Sequence, residues 1–300
     1  MMMQERIILV ATVIVALSGV LWGFFWVPVR ALEAMGLPGA WGTVAMTFAA
    51  LLLLAPLAHA RRGELAGTDK FALVSLALGG AAFTLYSVGL IYGRVAIVIL
   101  LFFLTPVWSA LIGRYVMGWP TPRLRLWAIL VGLAGLLVIL GAEGEIPVPR
   151  GAGEWMALLG GILWSVGSTG IRTRSTLAPA PSTFVFVLGA ASSALVLAPF
   201  LDPLPDTLSP GGPLGALRLA LVSGGLWWVL SIAALTWATM RLEPARVGIL
   251  MMTEVLVGAV SAAVLAGENL ALLEILGGVL VLLAGVLEVW PVRQKGQPPR

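Results

Sequence analysis

The chain has 300 residues, 60% of them hydrophobic and 11% charged, with a mean hydropathy of +1.03. That profile excludes a soluble globular domain and points to a polytopic membrane protein. Cysteine is absent, which excludes a disulfide framework, a thiolate nucleophile and a cysteine-based metal site, and the net charge of +4 is scattered among short loops instead of forming a nucleic-acid surface.

The polar start Met1–Arg6 leads into the apolar run Ile7–Val29. This run is too long for a signal-peptide core, holds Trp22 and Trp26 and lacks a small-residue cleavage site, so it is read as the first span. Further windows of spanning length follow at Pro38–Leu57, Phe71–Tyr92, Val95–Tyr115, Leu124–Gly141, Gly153–Ile171, Thr183–Phe200, Ala216–Met240, Pro244–Ala266 and Leu270–Trp290, ten spans with the first. The loops are too short to fold alone, and any chemistry is expected among the helices. Fourteen of the 18 Lys and Arg residues fall at the two termini or in alternate loops, and only Arg30, Arg94, Arg150 and Arg218 lie on the opposite side. By the positive-inside rule both termini are then cytoplasmic. The single histidine, His59, sits beside Arg61 and Arg62 and reads as a solvated interfacial residue, because one ligand cannot build a metal site.

The sequence repeats itself. Gly19-Val-Leu-Trp22-Gly returns as Gly161-Ile-Leu-Trp164-Ser, and Val95–Val107 runs parallel to Pro244–Leu256, a register that also pairs Gly118 with Gly267. The expected fold is therefore an all-α integral membrane protein of ten transmembrane helices in two repeats of five, residues 1–150 and 151–300. An odd number of helices per repeat inverts the second relative to the first, the arrangement that serves alternating access.

Leu21-Trp22-Gly23, Thr105-Pro106-Val107, Gly267-Glu268-Asn269-Leu270 and the stretch Leu276–Val286 resemble the drug/metabolite transporter superfamily, in particular its ten-helix EamA-type exporters, over essentially the whole chain. Trp164 and the stretch Thr183–Ala190 are most similar to YddG-type amino-acid exporters. The resemblance implies an inner-membrane protein that moves amino acids, aromatic ones among them, out of the cytoplasm. Family members often carry proline after the acid of the ninth helix, whereas here Val255 follows Glu254.

Glu254 lies in the middle of its apolar run, about 15 Å from its start at ~1.5 Å per residue, where a carboxylate needs a partner, a proton or a water-filled cavity. It is read as a substrate ammonium or proton site, with a satisfied packing acid as the alternative. Ser18, Trp22 and Trp26 share one helical face, and Trp164 and Ser168 repeat the pattern in the sixth span. Tyr86, together with Trp227 and Ser231 on one face of the eighth span, extends the set, while Trp228 and Trp237 are expected to point elsewhere, toward lipid. Rings of this kind either line a cavity or pack between helices with each N–H on a carbonyl. Pro28 and Pro106 each remove a backbone hydrogen bond; the carbonyl opened by Pro106, next to Thr105, could take an ammonium group. Trp41, Trp119, Trp127, Trp155 and Trp290 fall at span ends as interfacial belt residues, and Glu288 reads as interfacial.

The function expected is a secondary exporter of small metabolites, amino acids including aromatic ones, with no cofactor, no metal, no nucleic acid and no phosphate-binding loop. The bilayer is its surroundings, and a monomer suffices. A multidrug carrier of the same architecture, a passive channel and an intramembrane enzyme are the alternatives. The last would need a nucleophile, a metal cluster or paired acids, and the spans hold no His, Cys or Asp.

Overall fold

The computed structural model describes residues 2–118, 123–142, 148–204, 212–239, 241–242 and 244–289. Among these residues there is helix and no strand. In chain order the helices are α1 Met2–Gly23, α2 Trp26–Ala34, α3 Trp41–Ala60, α4 Arg62–Ala66, α5 Lys70–Tyr92, α6 Val95–Phe102, α7 Thr105–Tyr115, α8 Arg123–Leu140, α9 Ala152–Arg174, α10 Pro179–Leu201, α11 Gly212–Ser223, a π-helix Gly224–Ser231, α12 Ile232–Thr239, α13 Pro244–Leu265 and α14 Leu272–Val289.

Six helical stretches are long and apolar enough to cross a membrane: Glu5–Ala34, Trp41–Ala60, Lys70–Tyr92, Val95–Tyr115, Pro179–Leu201 and Gly212–Ala238. Their outer faces display large apolar side chains, with Leu52 and Phe71 each 72% exposed and Phe200 81% exposed. Water would penalise such a surface and lipid would cover it, as befits a membrane-embedded helical protein.

Two of these stretches are broken. The first passes from α1 to α2 through a turn at Phe24 and Phe25, four residues ahead of Pro28. Proline withholds the N–H that the Phe24 carbonyl would otherwise take, and Val27 N–H supplies a tighter bond at 3.0 Å. The fourth predicted span breaks in the same way at Phe103 and Leu104, ahead of Pro106.

Packing is organised by glycine. α5 lies antiparallel to α9, with Gly89 facing Gly153 and Gly79 facing Gly167, and its neighbouring face meets α10, where Gly80 abuts the Phe186 carbonyl. α8 and α14 are likewise antiparallel through Gly135 and Gly277, and α1 runs parallel to α13, with Gly19 on Thr253 and Gly23 on Val257. Small residues let backbones approach closely where lipid provides no hydrophobic drive for helices to associate.

Candidate functional site

Glu254 sits halfway along α13 and is 4% exposed. Its Oε1 accepts a hydrogen bond of 3.1 Å from the Tyr86 hydroxyl of α5, which is wholly buried. Two residues far apart in sequence are thus joined in the interior, and the phenol supplies the partner that a carboxylate there requires.

Aromatic rings pack around the Tyr86 side of this pair. Tyr86 lies 4.6 Å from Phe102 and 6.5 Å, stacked, from Phe25. Phe83, one helical turn before Tyr86, makes edge contacts with Trp22, Phe102, Trp164 and Phe186 at 5.0–5.6 Å. Edge-to-face geometry directs positive ring edges at negative faces, so the cluster is electrostatically ordered as well as apolar.

Trp22, 2% exposed, donates its N–H to Ser231 Oγ at 2.9 Å, so these two expected site residues pair with each other. Trp26 donates to Ser261 Oγ at 3.0 Å, and the Arg30 guanidinium stands over its ring at 5.6 Å. Trp227 donates to the Leu21 carbonyl at 2.9 Å. Trp164 is half-buried against Phe83 and Phe186, and Ser168, on the same helix, bonds the Ser165 carbonyl at 3.3 Å. The Thr105 carbonyl accepts from Ser165 Oγ at 3.0 Å. Trp22, Trp26, Tyr86, Trp164 and Trp227 therefore belong to one connected interior, joined by hydrogen bonds to Ser231 and Glu254, whereas Ser168 bonds only within its own helix.

Trp228 departs from expectation. It is fully buried, 6.1–6.5 Å from Phe25, Trp22, Phe83 and Phe186, and does not face lipid. The expectation assumed α-helical periodicity, but Gly224–Ser231 is a π-helix, whose wider turn brings Trp227 and Trp228 inward together. Trp237 is half-buried beneath the Arg241 guanidinium, 4.0 Å from its ring centre. Among the expected belt residues Trp127 and Trp155 are exposed; Trp119, Trp290 and the Glu288 side chain lie outside the described residues.

Sequence reading also left out Phe25, Phe83, Phe102 and Phe186, which looked like ordinary apolar residues of their spans, and a group of charges at one end of the molecule. Glu268 accepts from the backbone N–H groups of Val95 at 2.7 Å and Ala96 at 3.1 Å, capping α6 from the other half of the chain, and pairs with Arg30 at 3.4 Å. Arg94 grips Glu274 through two bonds of 2.5 and 3.0 Å. Gly267, with φ of 66°, ends α13 in the left-handed region and turns the chain toward α6, so the Gly-Glu pair singled out in the sequence makes this cap. Behind Arg94 and Glu274 is a cavity of about 240 Å³, also bordered by Arg150 and Glu154.

No family model matches the chain, and no curated protein does. Among solved structures, one described as "Crystal structure of protein" is 20% identical over 92% of this chain and 95% of its own, with a TM-score of 0.59. At that identity the likeness shows a shared helical fold and leaves the function to be argued from the site.

Proposed function

We propose that the chain is a secondary transporter of the drug/metabolite type, exporting amino acids, aromatic ones among them, from the cytoplasm across an inner membrane by alternating access. The observation that carries this reading is the Tyr86–Glu254 pair, a carboxylate and its donor buried inside a shell of rings. A carboxylate among aromatic faces suits an ammonium group, and the rings suit an apolar side chain.

The ten-span, inverted-repeat reading has independent support. α8, α9, α13 and α14 would add four passes to the six apolar stretches. The sequence register that pairs Val95 with Pro244 also pairs Arg123 with Leu272, and these residues begin α6, α13, α8 and α14 in turn. Gly118 and Gly267, paired by the same register, both have φ of 66°. Exchanging the halves carries the α1–α13 contact onto the contact of α9 with α6 and α7. In sequence the register also sets Glu243 opposite Arg94 and Arg125 opposite Glu274, the same two charges with signs exchanged. The gathering of basic residues on one side supports cytoplasmic termini.

The test is uptake and efflux of a panel of labelled amino acids by the purified protein in liposomes, with and without a pH gradient. Saturable, trans-stimulated flux of aromatic and branched amino acids is expected. Linear, unsaturable flux would identify a pore, and absence of flux across the panel would overturn the amino-acid reading.

A further inference from the structure

The buried tryptophans around Glu254 differ in one respect. Trp22, Trp26 and Trp227 each place the indole N–H on an acceptor. Trp228 is fully buried, and its Nε1 has no hydrogen-bond partner. Ser223 is also fully buried with an unpartnered hydroxyl, and it precedes Trp228 by five residues, the hydrogen-bond step of a π-helix. Of three such orphaned side-chain atoms among the described residues, one thus lies in the π segment and another on the residue that caps it. The third, on Trp108, belongs to α7.

A buried donor without an acceptor costs folding free energy, and nearly all buried donors find one, so its presence calls for an explanation. π turns lengthen a helix locally at the expense of regular bonding and gather at functional positions. Here the turn brings Trp228 among Trp22, Phe25, Phe83 and Phe186, and Phe25 and Phe83 in turn touch Tyr86, the donor to Glu254. The same aromatic shell therefore holds an acceptor for a cation at Glu254 and an unused donor at Trp228.

We propose that Trp228 Nε1–H, together with the Ser223 hydroxyl at the start of the π segment, is the donor set that receives the carboxylate of a bound amino acid while Glu254 receives its ammonium group. This rests on the transport reading above and adds to it the residues that would select a zwitterion over an amine. A hydrogen bond from a buried donor to a charged acceptor is stronger than one between neutral groups, so substrate binding restores what folding leaves unmade.

Trp228→Phe keeps a ring in place and deletes the donor. Trp228→Phe and Trp22→Phe each leave a similar cavity, but only the second also breaks a hydrogen bond, to Ser231, so Trp22→Phe should have the lower thermal midpoint in detergent. In liposomes, Trp228→Phe should raise KM for phenylalanine about tenfold. It should affect phenethylamine, which lacks the carboxylate, far less, so that the ratio of the two KM values shifts toward the amine. Ser223→Ala should show the same split between the two compounds, which keeps the test decisive if the Phe variant folds poorly. An unchanged KM for phenylalanine in both variants, or an equal loss for both compounds, would overturn the assignment while leaving transport intact. A parent protein that moves neither compound would overturn the transport reading and this assignment together.

Discussion

Two glycine-lined seams, α5 against α9 and α1 against α13, close the molecule in different ways. Along the first, glycine faces backbone: an added Cβ on Gly153 would lie 2.4 Å from the Gly93 nitrogen, and one on Gly167 would lie 2.9 Å from the Ser75 carbonyl. Along the second, a Cβ on Gly19 would strike the Thr253 hydroxyl at 2.1 Å, a side-chain tip, although one on Gly23 would also come within 2.9 Å of the Gly258 nitrogen. That second seam carries a polar bond as well, Ser261 to the Gly23 carbonyl at 3.2 Å, and Trp26 of α2 bonds to the same serine. Helices in lipid can thus be held by shape alone or by shape and hydrogen bonds together.

The comparison breaks most readily at Gly153. Gly153→Ala forces α5 and α9 apart with no rotamer to absorb the strain, and a loss of about 3 kcal/mol is expected, read as a lower thermal midpoint in detergent. A parental midpoint would show that the seam is looser than its geometry.

The next largest effect belongs to the bond between α5 of one seam and α13 of the other. Tyr86→Phe deprives the buried Glu254 of its donor and should destabilise by about 2 kcal/mol. Glu254→Gln keeps an acceptor for Tyr86 and should cost less stability, yet it removes the charge; flux should fall strongly in a folded protein. Parental flux in Glu254→Gln would demote the residue to packing.

Smaller effects sharpen the contrast. Ser261→Ala orphans the Trp26 N–H and should lower stability by about 1 kcal/mol. Gly19→Ala should fall well short of Gly153→Ala, since Thr253 can turn; equal losses would erase the distinction between the seams. No change in stability is expected for Gly63→Cys or Gly151→Cys, where an added Cβ meets nothing closer than 3.9 Å, and the chain has no other thiol. An impermeant thiol reagent should label Gly63→Cys only from inside and Gly151→Cys only from outside, and the reverse pattern would invert the proposed orientation.

Much of this architecture was legible because hydropathy reports directly on the solvent around a helix. Glu254 and Tyr86 each stood out as polar groups in apolar runs, and the Pro28 and Pro106 breaks follow from a missing N–H. The bond between Tyr86 and Glu254 was not legible, because nothing local to either residue encodes which helices become neighbours. Trp228 was misplaced for a different reason: a periodicity of 3.6 was applied to a segment whose hydrogen bonds run one residue wider. The role of Glu268 as a cap was not legible either, since it exists only once α6 is brought beside the end of α13.

Backbone-on-backbone contact also restricts how the molecule can deform. Helices that meet through long side chains roll over one another by changing rotamers, but a carbonyl against a glycine Cα has no such freedom, and separating them opens a void. Gly80 on the Phe186 carbonyl and Gly189 on Ala77 extend that constraint from α5 and α9 to α10. Such contacts resist the separation of these three helices. The interruptions at Phe24–Phe25 and Phe103–Leu104, where shorter i→i−3 bonds enter the ladder, are the places where a bend would cost the fewest regular backbone bonds.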